Sequence, residues 1–285
     1  MKVFNIGIIG LGNIGLEVYK NIKKNSSDIQ KKTGFKLNVV KVSAKNIKKK
    51  RGISFSKSVL QKNPFEITKD PKIDIIVELI GGADGIAKRI VFDALKNKKH
   101  VVTANKALIA KHGDALSVLS EKYEVNLLFE AAVGGGIPII RSIKQGLIAN
   151  KLHHIYGILN GTTNYILTEM EQRGENFSNV LKDAQRLGYA ESNPTADVDG
   201  YDAADKISIL SSIGFGTKII NKGFLVEGIR NIEIDDIRFA KELGYKIKLL
   251  AIAERVKNKI KQRVHSCLIP FNLDVANIDD VTNAI

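Results

Sequence analysis

The N-terminal sequence Phe4-Asn-Ile-Gly-Ile-Ile-Gly-Leu-Gly-Asn-Ile-Gly15 predicts a strand, a tight turn and a helix in direct succession. The residues before Gly10 are apolar with little alternation, as in a parallel strand that is buried on both faces. Gly10 makes the tight turn, Gly12 lets the backbone approach a pyrophosphate, and Gly15 lets the helix pack on the strand. The spacing predicts a dinucleotide site, and a glycine turn without a ligand is the alternative.

The segment after this turn, Leu16-Glu-Val-Tyr-Lys-Asn-Ile22, has helical spacing. The helix start at Asn13 and Ile14 would offer N–H groups to the phosphates of a dinucleotide. Further apolar runs alternate with helical segments, so residues 1–130 are predicted to form an α/β domain with a Rossmann-type, doubly wound parallel sheet that binds NAD(P).

The second strand, Leu37-Asn-Val-Val-Lys-Val-Ser43, should end near the adenosine ribose of the cofactor. NAD-selective sites usually place an acid there, which bonds the ribose 2′-hydroxyl. Here the chain continues Ala-Lys45-Asn-Ile-Lys48-Lys-Lys-Arg51, with several cations and no acid. We expect Lys45 to favour a 2′-phosphate, so NADP is preferred and NAD stays possible. A solvated lysine run is the alternative.

Two later strands should end at the same edge of the sheet. The strand 73–80 ends in Gly81-Gly82, and His100-Val-Val-Thr-Ala104 runs into Asn105-Lys106. Strand ends face the ligand crevice in such sheets, so Thr103 and Lys106 are predicted to lie at the nicotinamide end of the cofactor. A solvated lysine near a helix start is the alternative for Lys106.

Residues 131–285 do not alternate strands and helices strictly, which favours a mixed sheet in a second, α+β domain for substrate binding, catalysis and dimerisation. Besides a last strand of the first domain at 125–130, the expected elements include strands at 155–160, 246–254 and 260–268 and helices at 139–149, 177–187, 201–214 and 235–243. Near the domain junction, Glu130 and the glycines 134–136 supply one carboxylate and free carbonyls, which suits a weakly held hard cation. A glycine-rich turn that only shapes the junction is the alternative.

One segment has the polar and charged residues typical of a catalytic site: Ala184-Gln-Arg-Leu-Gly-Tyr-Ala-Glu-Ser-Asn-Pro-Thr-Ala-Asp-Val-Asp-Gly-Tyr-Asp-Ala-Ala-Asp-Lys206. Its first part reads as a loop and its last part as a helix start. Asp202 and Lys206 are four residues apart and share one helix face, and the apolar turns after them would bury that helix. A sheltered lysine beside a carboxylate can donate a proton. The alternative is an exposed ion pair after a helix cap.

Written as Ala-x3-Gly-Tyr-Ala-x2-Asn-Pro-x2-Asp-Val-x-Gly-x-Asp-x3-Lys, this segment resembles the signature of homoserine dehydrogenases. The run Thr103-Ala-Asn-Lys-Ala-Leu-Ile-Ala110 is similar to a second pattern of that family. The resemblance implies that Lys206 is the proton donor, that Glu191 and Asp202 hold the substrate, and that Lys106 touches cofactor and substrate. It also implies a cofactor contact at Gly188 and a sodium-type site formed by Glu130 and the carbonyls of Val133, Gly135 and Ile137. Our hypothesis for the mechanism adds Asp197 in support of the substrate site.

The implied reaction is the NADP-linked interconversion of L-aspartate 4-semialdehyde and L-homoserine in threonine, methionine and isoleucine biosynthesis, by a homodimer. Family members usually continue past the point that corresponds to Ile285, so a further C-terminal segment is expected. Alternatives are another NAD(P)-dependent amino acid dehydrogenase or imine reductase of the same architecture, or a noncatalytic nucleotide-binding protein. Aspartate-semialdehyde dehydrogenase chemistry needs a thiol nucleophile, for which Cys267 in a strand is poorly placed.

Composition limits the remaining classes of protein. With 285 residues and 44% hydrophobic content the chain can bury a sizeable core. No secretory leader or run of ~20 apolar residues is present, which indicates a cytoplasmic protein without a membrane partner. The net charge of +14 comes almost wholly from dispersed lysines without an aromatic and arginine cluster, so no nucleic-acid partner is expected. The single cysteine, Cys267, excludes an internal disulfide and is expected to be buried.

Overall fold

The structure is a computed structural model that describes residues 2–56 and 58–271. The chain divides into two compact units, of which the first ends at Ile139 and the second begins at Ile140. The sequence placed the domain boundary slightly earlier, after residue 130. Within the described residues, no helix has both the length and the apolar character needed to cross a membrane.

A six-stranded sheet in which all neighbours are parallel forms the centre of the first unit. Its order is β3-β2-β1-β4-β5-β6, so the direction of winding reverses between β1 and β4. A ligand crevice is expected at the carboxyl ends of the strands on either side of such a reversal. The predicted doubly wound sheet is confirmed. The strands are β1 (Lys2–Ile9), β2 (Phe35–Ser43), β3 (Leu60–Gln61), β4 (Ile75–Glu78), β5 (His100–Thr103) and β6 (Leu127–Leu128).

The helices of the first unit are α1 (Asn13–Lys24), α2 (Ser26–Thr33), α3 (Phe65–Lys69), α4 (Ile86–Lys96) and α5 (Lys106–Lys122). In α4, apolar residues three and four apart are fully buried, as expected for a helix that covers a sheet. The strand expected at 125–130 is shorter, because the chain turns into a 3₁₀ helix at Glu130–Ala132. Since β6 pairs only with β5, little holds its end in the sheet.

A four-stranded sheet of order β7-β9-β10-β8 forms the second unit. Strands β9 and β10 form a long antiparallel hairpin, β7 is antiparallel to β9, and β8 is parallel to β10. The predicted mixed sheet is therefore confirmed. The strands are β7 (His154–Gly157), β8 (Leu225–Val226), β9 (Tyr245–Val256) and β10 (Lys259–Pro270), and the helices are α6 (Ile139–Arg141), α7 (Gly161–Arg173), α8 (Phe177–Arg186), α9 (Thr195–Val198), α10 (Tyr201–Phe215) and α11 (Ile234–Glu242).

Helix α10 is the central helix of this unit, as its apolar sequence predicts. Ile207, Ile209 and Leu210 are almost fully buried, and the helix packs on β9 and β10. One expectation for another element is wrong. The helix expected at 139–149 widens after Arg141 into a π-helical turn that ends at Gly146, a poor helix former. The segment 224–229, to which the sequence assigned no element, contains the short strand β8 and then packs against α9, where a Cβ at Gly228 would lie 2.0 Å from the carbonyl of Val198.

Candidate functional site

The glycine-rich turn after β1 has the geometry that a dinucleotide requires. Gly10 has φ +106°, and a Cβ there would lie 2.5 Å from the carbonyl oxygen of Leu79. A Cβ on Gly15 would lie 1.8 Å from the carbonyl oxygen of Gly10, so α1 packs directly on the turn. By contrast, nothing lies within 4 Å of a Cβ on Gly12. The two tight glycines therefore build the turn, and the third leaves its backbone open to a ligand.

Helix α1 presents an N-terminus without competing groups. Gly12 is its N-cap, no side chain caps it, and no acid occupies its first turn. Asn13 and Ile14 are both exposed, and Ile14 has 65% of its surface accessible. The positive end of the helix dipole and the N–H groups of the first turn can thus receive an anion.

A cavity of about 710 Å³ adjoins this turn, and we refer to it as the cofactor cavity. Its walls are the turn itself, the end of β2 and the segments that follow β2, β3 and β4. Its polar lining is dominated by the cations Lys45, Lys49, Arg51 and Lys62, and its described lining residues include no acid. The cavity suits a ligand that carries phosphate groups.

One of these cations, Lys62, lies outside the basic run that the sequence pointed to. Ser43 pairs with Gln61 between β2 and β3, which brings Lys62 level with Ala44. Only strand pairing reveals this proximity. Arg51 donates to the carbonyl oxygens of Asn46 at 2.6 Å, Lys49 at 2.8 Å and Leu11 at 3.1 Å, and so ties the basic loop to the glycine-rich turn.

The carboxylate of Glu78 organises the loop after β4, and sequence reasoning missed it. Glu78 is fully buried, and its Oε1 accepts hydrogen bonds from the N–H groups of Ile80 at 2.7 Å and Gly81 at 3.3 Å. Its Oε2 accepts a bond of 2.6 Å from the hydroxyl of Thr103. Thr103 as a whole residue is only 1% exposed, and its hydroxyl is committed to Glu78. An acid inside the apolar run Ile75-Ile-Val-Glu-Leu-Ile80 was the available signal.

The end of β5 carries Lys106 on the first turn of α5. Its neighbour Asn105 caps the helix by accepting from the N–H of Leu108 at 3.1 Å, and donates to the carbonyl of Gly82 at 2.8 Å. Lys106 itself is half-buried. Asn105 and Glu78 therefore hold the glycine loop beside Lys106 from two sides.

Asp84 is a third anchor of that glycine loop. It lies beside α5, where it pairs with Lys111 and accepts from Nε2 of His112 at 3.0 Å. The hydrogen bond from Lys111, followed by the one from His112, lowers the pKa of Asp84 to about 2. This carboxylate stays ionised through most of the acidic range, so the loop remains tied to α5.

The segment expected to hold a cation folds as a 3₁₀ helix followed by a glycine turn. Gly134 and Gly136 have φ of +60° and +92°, Gly135 has open space around it, and Val133 is buried. The carbonyl of Ile137 already accepts from the N–H of Ile139 at 2.8 Å, and a carbonyl oxygen has a second lone pair. Within the described residues, no three His, Cys, Asp or Glu side chains gather as a metal site. A cation here would depend on Glu130 and main-chain oxygens.

The second unit brings four polar side chains together, and we call them the lysine cluster: Lys206, Asp202, Asp197 and Asn160. Lys206 Nζ lies 2.7 Å from Asp202 Oδ2 and donates to the carbonyl of Leu159 at 2.5 Å. The side chains of Lys206 and Asp202 are 18% and 4% exposed. The alternative of an exposed ion pair is therefore wrong.

Asn160 joins the two aspartates of the cluster. Its amide nitrogen lies 2.7 Å from Asp197 Oδ1 and 2.8 Å from Asp202 Oδ2, although these residues are far apart in sequence. Asn160 is 4% exposed and begins α7. Sequence reasoning did not select it, and its only signal was the position of an N-cap before Gly161.

Glu191 and Gly188 lie on the loop between α8 and α9. The Glu191 side chain is exposed and makes no ion pair or hydrogen bond within the described part of the chain, while its carbonyl accepts from Gln185 Nε2 at 3.0 Å. Gly188 ends α8 with φ +81°, and a Cβ on this residue would have no neighbour within 4 Å. The structure thus leaves a carboxylate and an open glycine backbone available on one loop.

Cys267 is half-buried in β10, rather than buried as expected. Burial nevertheless raises the pKa of its thiol, which disfavours the reactive thiolate. The residue therefore has little of the character of a nucleophile.

Two family models match the chain. The model described as "Homoserine dehydrogenase, NAD binding domain" matches residues 10–130, and the model described as "Homoserine dehydrogenase" matches residues 138–285. Among curated proteins, the homoserine dehydrogenases of Neisseria gonorrhoeae and Pseudomonas aeruginosa are 44% and 41% identical to this chain over 285 residues. These matches include the whole chain, which spans 65% of the length of each relative.

Solved structures of homoserine dehydrogenases also match this chain. A homoserine dehydrogenase from Thiobacillus denitrificans matches with a TM-score of 0.93 at 45% identity, over 98% of this chain and 64% of that one. A hyperthermophilic archaeal homoserine dehydrogenase in complex with NADPH matches with a TM-score of 0.74 at 24% identity, over 94% and 82% of the two chains. At that identity the archaeal protein supports the fold alone.

Proposed function

Because the chain belongs to the homoserine dehydrogenase family, we propose that it catalyses the NADP-linked interconversion of L-aspartate 4-semialdehyde and L-homoserine. The observation that carries this proposal is the sheltered pair of Lys206 and Asp202 on α10, in a chain that also has a glycine-rich dinucleotide turn. A sheltered lysine can exchange a proton with a substrate oxygen, which an alcohol–aldehyde interconversion requires.

The cofactor cavity fits a dinucleotide phosphate. Gly12 and the first turn of α1 would receive the pyrophosphate, because their backbone is open and no acid competes. Lys45, Lys49 and Lys62 would bind the 2′-phosphate of NADP, and Arg51 would keep their loop against the turn. Lys106 and the loop held by Glu78 would contact the nicotinamide end.

Acidic residues of the second unit would hold the amino acid substrate. Glu191 is exposed and can accept the substrate ammonium directly. Asp202 would contribute from the lysine cluster with Asp197 in support, since both carboxylates are already ordered by Asn160. Gly188, on the same loop as Glu191, would offer its open backbone to the cofactor.

Lys206 would carry the proton of the reaction. When bound, reduced nicotinamide supplies a hydride to the aldehyde carbon of the semialdehyde. Lys206 Nζ gives a proton to the aldehyde oxygen, so that the alcohol forms, and takes the proton back when homoserine is oxidised. Lys106 would steady the same oxygen or the substrate carboxylate. Lys106 and Lys206 would then be the two catalytic lysines.

A sodium-type cation is part of the proposal at the glycine turn after β6. Glu130 with the carbonyls of Val133, Gly135 and Ile137 would bind it, because one charge and several neutral oxygens suit a weakly held hard ion. Replacing sodium and potassium by tetramethylammonium at constant ionic strength should then lower turnover. Equal rates in the two buffers would remove the ion from the proposal.

A homodimer is proposed through the face of the second sheet that α10 does not cover. Tyr156 is 40% exposed and pairs with Ile252, and Leu250 lies on the same face beside His265. Both β9 residues are only partly buried. Ile252→Lys should convert a dimer to monomers in light scattering, whereas a wild-type protein that is already monomeric would refute the dimer.

The assay for the proposed function is the loss of NADPH absorbance with L-aspartate 4-semialdehyde, measured on the purified wild-type protein. We expect turnover with this aldehyde and none with 2-oxo acids. Turnover with oxo acids or imines alone would favour the amino acid dehydrogenase or imine reductase alternative. NADPH binding without turnover of any of these substrates would favour a noncatalytic nucleotide-binding protein.

A further inference from the structure

Asn160 is a buried amide that the proposed reaction does not use directly. It lies after β7 and caps α7, with its Oδ1 accepting from the N–H of Thr163 at 2.8 Å. The cap fixes which end of the amide is the oxygen. The nitrogen therefore points to the other side, where it meets Asp197 and Asp202. Ionised carboxylates only accept hydrogen bonds, so this orientation is the one that satisfies all three groups.

Two carboxylates that share one site repel each other unless donors lie between them. Here the neutral amide provides one N–H to each aspartate, at 2.7 and 2.8 Å. Lys206 then pairs with Asp202, and its second contact is the carbonyl of Leu159, the residue immediately before Asn160. The same two adjacent residues thus hold both the carboxylates and the ammonium group.

We propose that Asn160 is a positioning residue, which spaces Asp197 and Asp202 and thereby sets the place of the Lys206 ammonium group. This inference rests on the proposed function, because it assigns the effect to the proton donor of that reaction. Without the amide, the two aspartates would separate or would compete for Lys206. The ammonium group would then leave the Leu159 carbonyl and lose its alignment with the substrate oxygen.

The competing explanation is that Asn160 only caps α7. Aspartate is an equally good N-cap and has nearly the same shape. Asn160→Asp therefore keeps the cap but places a third carboxylate against the other two. Asn160→Ser keeps a capping oxygen and removes both amide donors. The two explanations predict opposite results for Asn160→Asp.

The experiment measures kcat and KM for aspartate semialdehyde, per NADPH-binding site, in wild type and both variants. Counting sites by NADPH binding removes any effect of lost folded protein. We expect kcat/KM to fall roughly 10- to 100-fold in Asn160→Ser and further in Asn160→Asp, with KM for NADPH unchanged. Asn176 is the matched control, since it is an exposed asparagine N-cap of α8. Asn176→Ser should match wild type.

Wild-type kinetics in Asn160→Asp would overturn the inference and leave a capping role. The same conclusion would follow if both Asn160 variants had wild-type kcat and KM per NADPH site. A wild-type protein without turnover of the semialdehyde would instead overturn the proposed function, and this inference with it. The two failures are therefore distinguished by the wild-type measurement.

Discussion

The glycine-rich turn of the first unit works through what its residues lack, whereas the lysine cluster of the second unit works through what its side chains contribute. At the turn, missing Cβ atoms let backbone segments approach and leave N–H groups open. In the cluster, charged side chains are sheltered and satisfy one another. The turn should therefore be sensitive to added volume, and the cluster to removed charge. Substitutions that separate volume from charge test this contrast.

The largest effect is expected from removing the charge of Lys206. Lys206→Ala should keep NADPH affinity and lower kcat for semialdehyde reduction by roughly 100-fold or more, the usual size for a lost general acid. Stopped-flow or steady-state NADPH absorbance measures it. Lys182→Ala, which changes an exposed lysine of α8, is the control. Turnover near that of wild type would remove Lys206 from the reaction.

The next effect comes from adding volume at the open glycine. Gly12→Ala meets no protein atom within 4 Å and has an ordinary φ of −75°, so its thermal stability should match wild type. NADPH affinity should nevertheless fall roughly 10-fold or more, because the new methyl group occupies the pyrophosphate position. Fluorescence titration with NADPH measures the loss.

Gly15→Ala is the counterpart of that change. Its Cβ would collide with the carbonyl of Gly10 at 1.8 Å, so the variant should lose stability as well as affinity. Unchanged NADPH affinity in Gly12→Ala would show that the phosphates do not lie on this turn.

A smaller effect is expected from the basic wall of the cofactor cavity. Lys45→Ala and Lys62→Ala should each reduce the preference for NADPH over NADH by roughly 10-fold, the size of one lost hydrogen bond to a charged group. Lys36→Ala, at an exposed lysine outside the cavity, should leave the ratio unchanged. The ratio of kcat/KM values for the two cofactors is the measurement. An unchanged ratio in both cavity variants would indicate a solvated lysine run.

The smallest effect concerns pH. The folded pKa of Asp84 is about 2, below its ordinary value of 3.8, so its stabilising contribution is complete above about pH 4 and is lost as the pH falls towards 2. Urea unfolding should show wild type more stable than Asp84→Asn at pH 5, with the difference disappearing near pH 2. The pair is exposed, so added salt should shrink the difference. A difference that grows on acidification would contradict this sign.

The parts that could be predicted from the sequence are those that depend on residues close together in the chain. Strand β1, the glycine turn and the spacing of Asp202 and Lys206 each depend on neighbours within a few residues, so periodicity and glycine positions were sufficient. The resemblance to homoserine dehydrogenases added roles for Lys206, Lys106 and Glu191, which stay predictions. The parallel, doubly wound class of the first sheet followed from its alternating pattern.

The residues that sequence reasoning missed are those whose contacts form only once the chain has folded. Lys62 reaches the cofactor cavity only through the pairing of β2 with β3, and Asn160 reaches two aspartates only after α7, α9 and α10 have packed. Glu78 is a buried carboxyl group whose donors are two main-chain N–H groups and the hydroxyl of Thr103, 25 residues away, so the sequence could mark the residue as unusual but not show its partners. The helix expected at 139–149 begins at Ile139 as predicted, but it widens after Arg141 into the π-helical turn Ser142–Gly146.

The contact between Lys206 and Leu159 has a consequence for sequence drift. The acceptor is a peptide oxygen, which every amino acid possesses, so exchanging the leucine for another residue leaves the partner of the ammonium group in place. An insertion or deletion between β7 and α7 would break this contact, because it would shift the Leu159 carbonyl oxygen away from Lys206 Nζ. We therefore expect natural variants to tolerate substitution at position 159 and to exclude insertions and deletions around it.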